Sequence, residues 1–177
     1  KLISSPERKN YTDAVLIGLR DTNSNIISFV DSDGQYDPKD LKRLYEKLKP
    51  GRIVIGYRHP RVDNLFRLFI SGSFKKLYEI LLKIKLNDPS CGYFMAYRED
   101  IESIFNKDDV GLIKEGFWWE FYAWCIEKNI EIIEIPIKHF NRDYGNTVVF
   151  KLNRIPKIAY RNILGLFKLR RLLKKSN

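Results

Sequence analysis

Short, nearly continuous apolar runs alternate along this chain with longer stretches whose apolar residues recur at helical spacing. Asn25-Ile-Ile-Ser-Phe-Val30 ends abruptly in acids, the pattern of a strand buried on both faces. Arg52-Ile-Val-Ile-Gly56 and Gly92-Tyr-Phe-Met-Ala-Tyr97 read the same way, and Glu131–Ile137 adds a fourth strand that Pro136 favours at an edge. Between these runs the spacing predicts helices over Tyr11–Thr22, Leu65–Lys83, Glu99–Phe105 and Gly116–Lys128. A further helix is expected to open at Asp37-Pro38, as N-cap and first helical residue, and to carry the stripe Leu41, Leu44, Tyr45 and Leu48. The segment from Ile155 onward is helical and basic. Strands alternating with helices, with no internal repeat, predict a mostly parallel α/β sheet with flanking helices.

Charge sharpens the picture of the last segment. The 177 residues hold 32 Lys and Arg against 22 Asp and Glu, a formal net charge of +10. Nine of those basic residues, and no acid, lie between Lys151 and Asn177, so the first 150 residues are close to neutral. The expected organisation is therefore a body over residues 1–150 and a basic amphipathic helical tail over 151–177. Such a helix suits an anionic lipid surface, where each Lys or Arg contributes about 1 kcal/mol, or docks on the body with a solvated basic face. A nucleic-acid-binding module is disfavoured, because the aromatics sit in apolar helices without interleaved basic residues. No uncharged apolar run approaches the ~18 residues needed to span a bilayer. Cys91 and Cys125 form no CxxC pair and no disulfide framework, which fits a reducing compartment, and both are expected to be buried.

The candidate chemistry begins after the first strand, at Asp31-Ser32-Asp33-Gly34-Gln35. Ligands of open α/β sheets collect beyond the carboxyl ends of the strands. Two carboxylates one residue apart, followed by an amide, offer hard oxygen donors suited to Mg²⁺ or Mn²⁺, which binds through one or two carboxylates plus substrate phosphates. A polar turn of favoured turn residues is the plainer alternative. An EF-hand loop is excluded, since its sixth and twelfth positions are here Tyr36 and Lys42.

Asp31-Ser-Asp-Gly-Gln-Tyr-Asp-Pro38 resembles the DxD segment of family 2 glycosyltransferases with the GT-A fold, a Rossmann-like nucleotide-sugar-binding fold. The similarity is greatest to the polyprenyl-phosphate branch, the dolichyl-phosphate mannose synthase type. Further segments match in order: Gly56-Tyr-Arg58 resembles G-x-R, Arg67-Leu-Phe-Ile-Ser71 resembles R-x-x-x-S, and Asp88-Pro-Ser-Cys-Gly92-Tyr93 is similar to D-x-x-x-G-F. Glu134-Ile-Pro136 with Arg142-Asp-Tyr-Gly145 resembles E-x-P with R-x-x-G, although Asn146-Thr147-Val148 follows where the family often has Ser-Lys.

The resemblance implies roles. Asp31, Asp33 and Gln35 would hold the Mg²⁺ or Mn²⁺ that bridges a nucleotide-sugar diphosphate, from a donor such as GDP-mannose or UDP-glucose. Arg58, Arg67, Ser71 and Arg142 match positions that hold phosphates of donor and lipid acceptor, a task suited to the planar, permanently charged guanidinium. Asp88 is the candidate active-site carboxylate, with Glu120 a second. A polyprenyl phosphate is already largely anionic at pH 7, so Asp88 is expected to orient a substrate more than to take a proton. The implied activity is inverting transfer of a hexose to polyprenyl or dolichyl phosphate by a peripheral enzyme at the cytoplasmic membrane face, with no nucleic-acid partner. A family 2 transferase with a sugar or protein hydroxyl as acceptor, and an inactive scaffold partner, stand as alternatives. Against the family's usual layout, the chain is expected to lack the opening strand-helix-strand unit.

Overall fold

The structure, a computed structural model, describes residues 10–63, 65–140 and 155–176. Helix α1 (Tyr11–Asp21) starts at Asn10, whose side chain accepts from the Asp13 amide, and leads into strand β1 (Ile26–Phe29). Then follow α2 (Asp40–Lys47), β2 (Arg52–Arg58), the long α3 (Leu65–Leu82), β3 (Phe94–Tyr97), α4 (Arg98–Phe105), α5 (Phe117–Glu127), β4 (Glu131–Ile137) and α6 (Ile155–Ser176). Among the described residues the four strands form one sheet in the order β1-β3-β2-β4, with β4 at its edge, where the ladder tolerates Pro136.

The sheet corrects the expectation of a mostly parallel one. β2 and β4 pair in parallel, but β3 is inserted between β1 and β2 and runs antiparallel to both. The central strands β2 and β3 are buried on two faces, and such strands lose the apolar-polar alternation that distinguishes an antiparallel sheet from a parallel one. The helix expected at Asp37 is also displaced. Asp37 instead caps a turn, accepting from the Lys39 amide at 2.9 Å, and α2 begins at Asp40. Asp40 is buried, where it holds Arg43 at 2.6 Å and the Lys138 amide at 3.2 Å.

Each face of the sheet builds its own core. Ile53, Ile55, Phe94 and Ala96 face the larger one, with α1, α4, α5 and α6; Val54, Tyr93, Met95, Ile135 and Ile137 face the smaller one, with Leu44 of α2. Every residue of α5 from Phe117 to Cys125 is buried, so its aromatics are core. Leu166 and Leu169 of the basic helix α6 are fully buried in the same larger core, so α6 docks on the domain. Both cysteines are buried and unpaired.

Because β1, β2 and β4 run one way and β3 the other, the ends of β1, β2 and β4 and the start of β3 share one margin. The register confirms it, since Phe94, at the start of β3, pairs with Phe29 at the end of β1. Four segments therefore meet there: the acidic turn 31–35, the Arg58 end of β2, the Asp88–Cys91 loop, and Lys138–Phe140 beyond β4.

Candidate active site

The acidic turn is braced from two sides. Gly34 has φ +76°, the left-handed conformation that lets the chain reverse after Asp33, and the Asp33 carboxylate accepts from the Gln35 amide at 3.2 Å. On one side the Gln35 side-chain amide donates to the Phe140 carbonyl at 3.1 Å, while its backbone carbonyl accepts from Phe140 at 2.9 Å. An isolated antiparallel bridge joins Tyr36 to His139 beside it. On the other side Tyr11 Oη–H donates to Asp31 Oδ1 at 3.2 Å, and Trp118 Nε1–H donates to Tyr11 Oη at 2.7 Å. Burial, then the Asp31 charge, push the Tyr11 phenol above its ordinary value, so it stays a donor at neutral pH. Tyr11 carries no motif signal in the sequence; only the fold brings it to Asp31.

Arg58 and Asp88, expected to act separately, form a bidentate pair. Arg58 Nε donates to Asp88 Oδ2 at 2.6 Å and Nη2 to Oδ1 at 2.9 Å, with 8% and 5% of the two residues exposed. Ser90 Oγ–H donates to Asp88 Oδ1 at 2.7 Å. Burial pushes the Asp88 carboxyl up, but the hydrogen bonds and charge of Arg58, then Arg61 and Ser90, hold it well below the usual carboxylate range. Tyr36 follows the acidic turn and its hydroxyl lies 3.9 Å from Cys91 Sγ; burial first, then Cys91, raises its phenol well above the ordinary value, and the Arg58 charge opposes them.

A second cationic group adjoins the pair. Asp63, its side chain 1% exposed, accepts from Arg61 through Oδ2 at 2.6 and 2.9 Å and from Arg67 through Oδ1 at 2.9 Å. Burial raises its carboxyl, yet the two arginines bring it below its ordinary value. Arg61 Nη1 also reaches Ser71 Oγ at 3.3 Å. The structure thus brings Arg67 and Ser71 together through Arg61 and Asp63, neither of which the motifs single out. A cavity of about 90 Å³ opens between this part of α3 and the Asn87–Ser90 loop. Asn87, which lines it, donates its backbone amide and side chain to Glu134 at 2.7 and 3.0 Å.

His139 is 6% exposed and packs against Tyr36 at 5.9 Å between ring centres. Burial, then the Arg58 charge, lower its pKa, and its buried Nδ1 has no hydrogen-bond partner among the described residues. Glu120 joins none of these groups. It is fully buried on α5, where Oε1 accepts from Gly111 N at 2.9 Å and Oε2 from Ile113 N at 3.0 Å, and burial raises its carboxyl. Its bonds clamp the loop before α5. Arg142 and Gly145 lie outside the described residues.

Among the described residues no three His, Cys, Asp or Glu side chains converge as a metal cluster. Two carboxylates and an amide on one braced turn nevertheless have the oxygen chemistry that suits a hard divalent cation, and Asp31, Asp33 and Gln35 would be the residues to hold it.

The sequence profile of the family described as "Glycosyl transferase family 2" matches residues 1–105. The chain belongs to that family. Within family 2 it is 27% identical, over 128 residues, to the undecaprenyl-phosphate mannosyltransferase of Micrococcus luteus, covering 70% of this chain and 52% of that one. It is 26% identical over 136 residues to the polyprenol monophosphomannose synthase of Mycolicibacterium smegmatis, covering 72% and 50%. The chain thus spans about half the length of these curated relatives. The solved structure of glucosyl-3-phosphoglycerate synthase from Mycobacterium tuberculosis, in complex with Mn²⁺, uridine diphosphate and phosphoglyceric acid, superposes with a TM-score of 0.67 at 16% identity. That superposition covers 94% of this chain and 56% of the synthase, and it shows a shared fold, the GT-A fold that the motifs imply.

Proposed function

We propose that this family 2 chain serves the inverting transfer of a hexose from a nucleotide diphosphate to a polyprenyl phosphate. The observation that carries the choice of acceptor is the bonding of Asp88. Inverting transfer to a hydroxyl needs a base to take its proton. Both Asp88 oxygens are engaged by Arg58, one of them also by Ser90, and a carboxyl held this far below its usual range is a weak base. A phosphate monoester needs no such base, because its second pKa is about 6 and it is mostly dianionic at pH 7. The polyprenyl-phosphate enzymes among its relatives support the same reading.

In this reading Asp31, Asp33 and Gln35 hold Mg²⁺ or Mn²⁺. Bound there, the cation would neutralise the charge that grows on the departing diphosphate. Tyr11 and Phe140 fix the turn that presents those oxygens. Arg58 is held in place by Asp88 and faces the phosphates as an oriented cation, and Arg67 and Ser71 belong to the acceptor side. Arg142 keeps the phosphate-binding role that its motif implies. Glu120, with both oxygens on loop amides, supports the fold and takes no part in the chemistry. The proposed setting is the cytoplasmic face of a membrane, contacted through the basic helix α6; no helix among the described residues is long and apolar enough to cross one.

The deciding experiment incubates the protein and Mn²⁺ with polyprenyl phosphate and radiolabelled GDP-mannose or UDP-glucose. Label is expected in the organic phase from one donor. Transfer only to a water-soluble hydroxyl acceptor, or no lipid-soluble label from either donor, overturns the assignment.

A further inference from the structure

Asp63 lies between β2 and α3, two residues before the helix begins, and none of the motifs includes it. Pro60, Val62 and Leu65 around it are exposed, yet its own side chain is 1% open to water. It belongs to neither apolar core and is enclosed with the arginines it binds. Its Oδ2 accepts from Arg61 Nε and Nη2, and its Oδ1 from Arg67 Nη1 at 2.9 Å. Burial raises the carboxyl, but the hydrogen bonds of Arg61 and the charge of Arg67 hold it below its ordinary value, so it is a full negative charge at neutral pH.

The Nε–Nη2 edge of a guanidinium is a fork that takes the oxygens of a carboxylate or a phosphate. On Arg61 that edge is filled by Asp63, which leaves Nη1 for Ser71 Oγ at 3.3 Å. Asp63 thus stands against two positive charges where an incoming phosphate would stand. The adjoining cavity holds a second carboxylate, Asp88, whose oxygens are already bound to Arg58 and Ser90. A phosphate entering beside that anion needs the fork of Arg61 free. A phosphate monoester carries nearly two negative charges at pH 8, since its second pKa is about 6. It therefore matches Arg61 and Arg67 better than the single charge of a carboxylate does.

We propose that Asp63 is a built-in competitor for phosphate: in the free chain its carboxylate occupies Arg61 and Arg67, and a phosphate monoester binds by displacing it. The inference rests on the reading that Arg67 and Ser71 serve a phosphate, and it adds a means of regulating that site. Transfer turns the monoester into a diester with one negative charge, so the returning carboxylate competes better with product than with substrate. Asp63 therefore lowers the affinity for phosphate and promotes release of the product.

Calorimetric titration of the whole chain at pH 8 compares methyl phosphate with geranyl phosphate, the second below its micelle concentration, in wild type and Asp63→Asn. The amide keeps the shape and loses the charge, so both ligands are expected to bind the variant roughly 10-fold more tightly. Asp63→Glu keeps the charge and is expected to bind them as wild type does. Arg67→Ala added to Asp63→Asn is expected to remove the gain. Because Asp63→Asn leaves two arginines without their counter-charge, methyl phosphate should also raise its melting temperature by more than that of wild type. Unchanged or weakened binding in Asp63→Asn overturns the proposal, since losing a carboxylate that only supports the arginines would weaken both ligands. A gain that persists without Arg67 overturns it as well. So does a variant that stays unfolded even with methyl phosphate, because phosphate then fails to replace the carboxylate. A gain for methyl phosphate alone keeps the competitor and assigns it to a water-soluble phosphate, against the acceptor reading. If label reaches polyprenyl phosphate while Asp63→Asn shows no gain, the competitor falls and the transfer reading stands.

Discussion

Arg58 and Asp88 share two hydrogen bonds of 2.6 and 2.9 Å across thirty residues of sequence, with both side chains almost wholly out of water. The pair joins the end of β2 to the loop before β3, so it fixes the separation of those two segments at the active margin. It also holds a permanent cation beside the Tyr36 phenol and the His139 ring.

Replacing one member of such a pair leaves the other charge buried and uncompensated. Asp88→Asn is expected to destabilise the fold by about 3–5 kcal/mol, whereas replacing both residues by apolar ones of similar size costs less. The pH dependence follows from the depressed carboxyl of Asp88. A group lowered in the folded state contributes stability that is complete above its unfolded pKa of ~3.9 and is lost as pH falls through the folded value. The difference between wild type and Asp88→Asn in urea unfolding should therefore stay constant from pH 8 to pH 5. A difference that grows as pH falls from 8 to 6 would show Asp88 titrating there with a raised carboxyl, as suits a general base, and would return the hydroxyl acceptor to contention.

Tyr11 offers a test that separates ligand binding from folding. Its hydroxyl is the link between Trp118 and Asp31. Tyr11→Phe keeps the ring and removes only that link, so the melting temperature is expected to change little. Groups that orient a metal ligand commonly contribute about 10- to 100-fold in affinity. Mn²⁺ with a nucleoside diphosphate should raise the melting temperature of wild type, less so that of Tyr11→Phe, and not that of Asp33→Ala. Identical shifts in all three proteins would remove the metal from the acidic turn.

Why Tyr11 and Asp63 escaped sequence reasoning, while Asp31 and Arg67 did not, has a physical explanation. The motif residues lie at fixed spacings on single turns, where local geometry alone brings donors together. Tyr11 meets Asp31 only because α1 packs beside Trp118 of α5, a contact 107 residues apart. The strand positions were legible because burial on two faces demands unbroken apolar runs, and the same burial erased the direction of β3. Asp37-Pro38 carried the expected capping signal, but Asp40, buried under Arg43 and Lys138, sets the start of α2. Tertiary burial outweighed a local preference at that point.

The glycines of two motifs prove to be packing positions. A Cβ on Gly56 would sit 2.5 Å from Ile137 Cδ1, between the parallel strands β2 and β4. A Cβ on Gly92 would sit 2.5 Å from Trp118 Nε1, the group that holds Tyr11. Gly92→Ala is expected to cost about 1–3 kcal/mol and to weaken Mn²⁺–nucleotide binding through the displaced Trp118. Gly56→Ala should cost a similar amount and leave that binding unchanged once the protein is folded. Equal loss of metal binding in both variants would sink the relay from Trp118 to Asp31.

Helix α6 presents two apolar faces, and they make opposite predictions. Leu166 and Leu169 are fully buried, and Gly165 lets the helix approach the Leu112 carbonyl, to which a Cβ would come within 3.0 Å. Tyr160, Leu164 and Phe167 recur at i, i+4 and i+7 on the outside, 65%, 44% and 45% exposed, among basic residues such as Lys157, Lys168 and Arg171. Leu169→Ala is expected to cost about 2–5 kcal/mol of stability and to leave vesicle binding by the folded fraction intact. Changing Tyr160, Leu164 and Phe167 together to Ser should leave the melting temperature nearly unchanged and abolish flotation with vesicles containing anionic lipid. Salt should weaken the wild-type interaction, because each surface Lys or Arg contributes about 1 kcal/mol that is screened within a Debye length. Undiminished flotation of the triple variant would mean that α6 serves the core alone and that the membrane is met elsewhere.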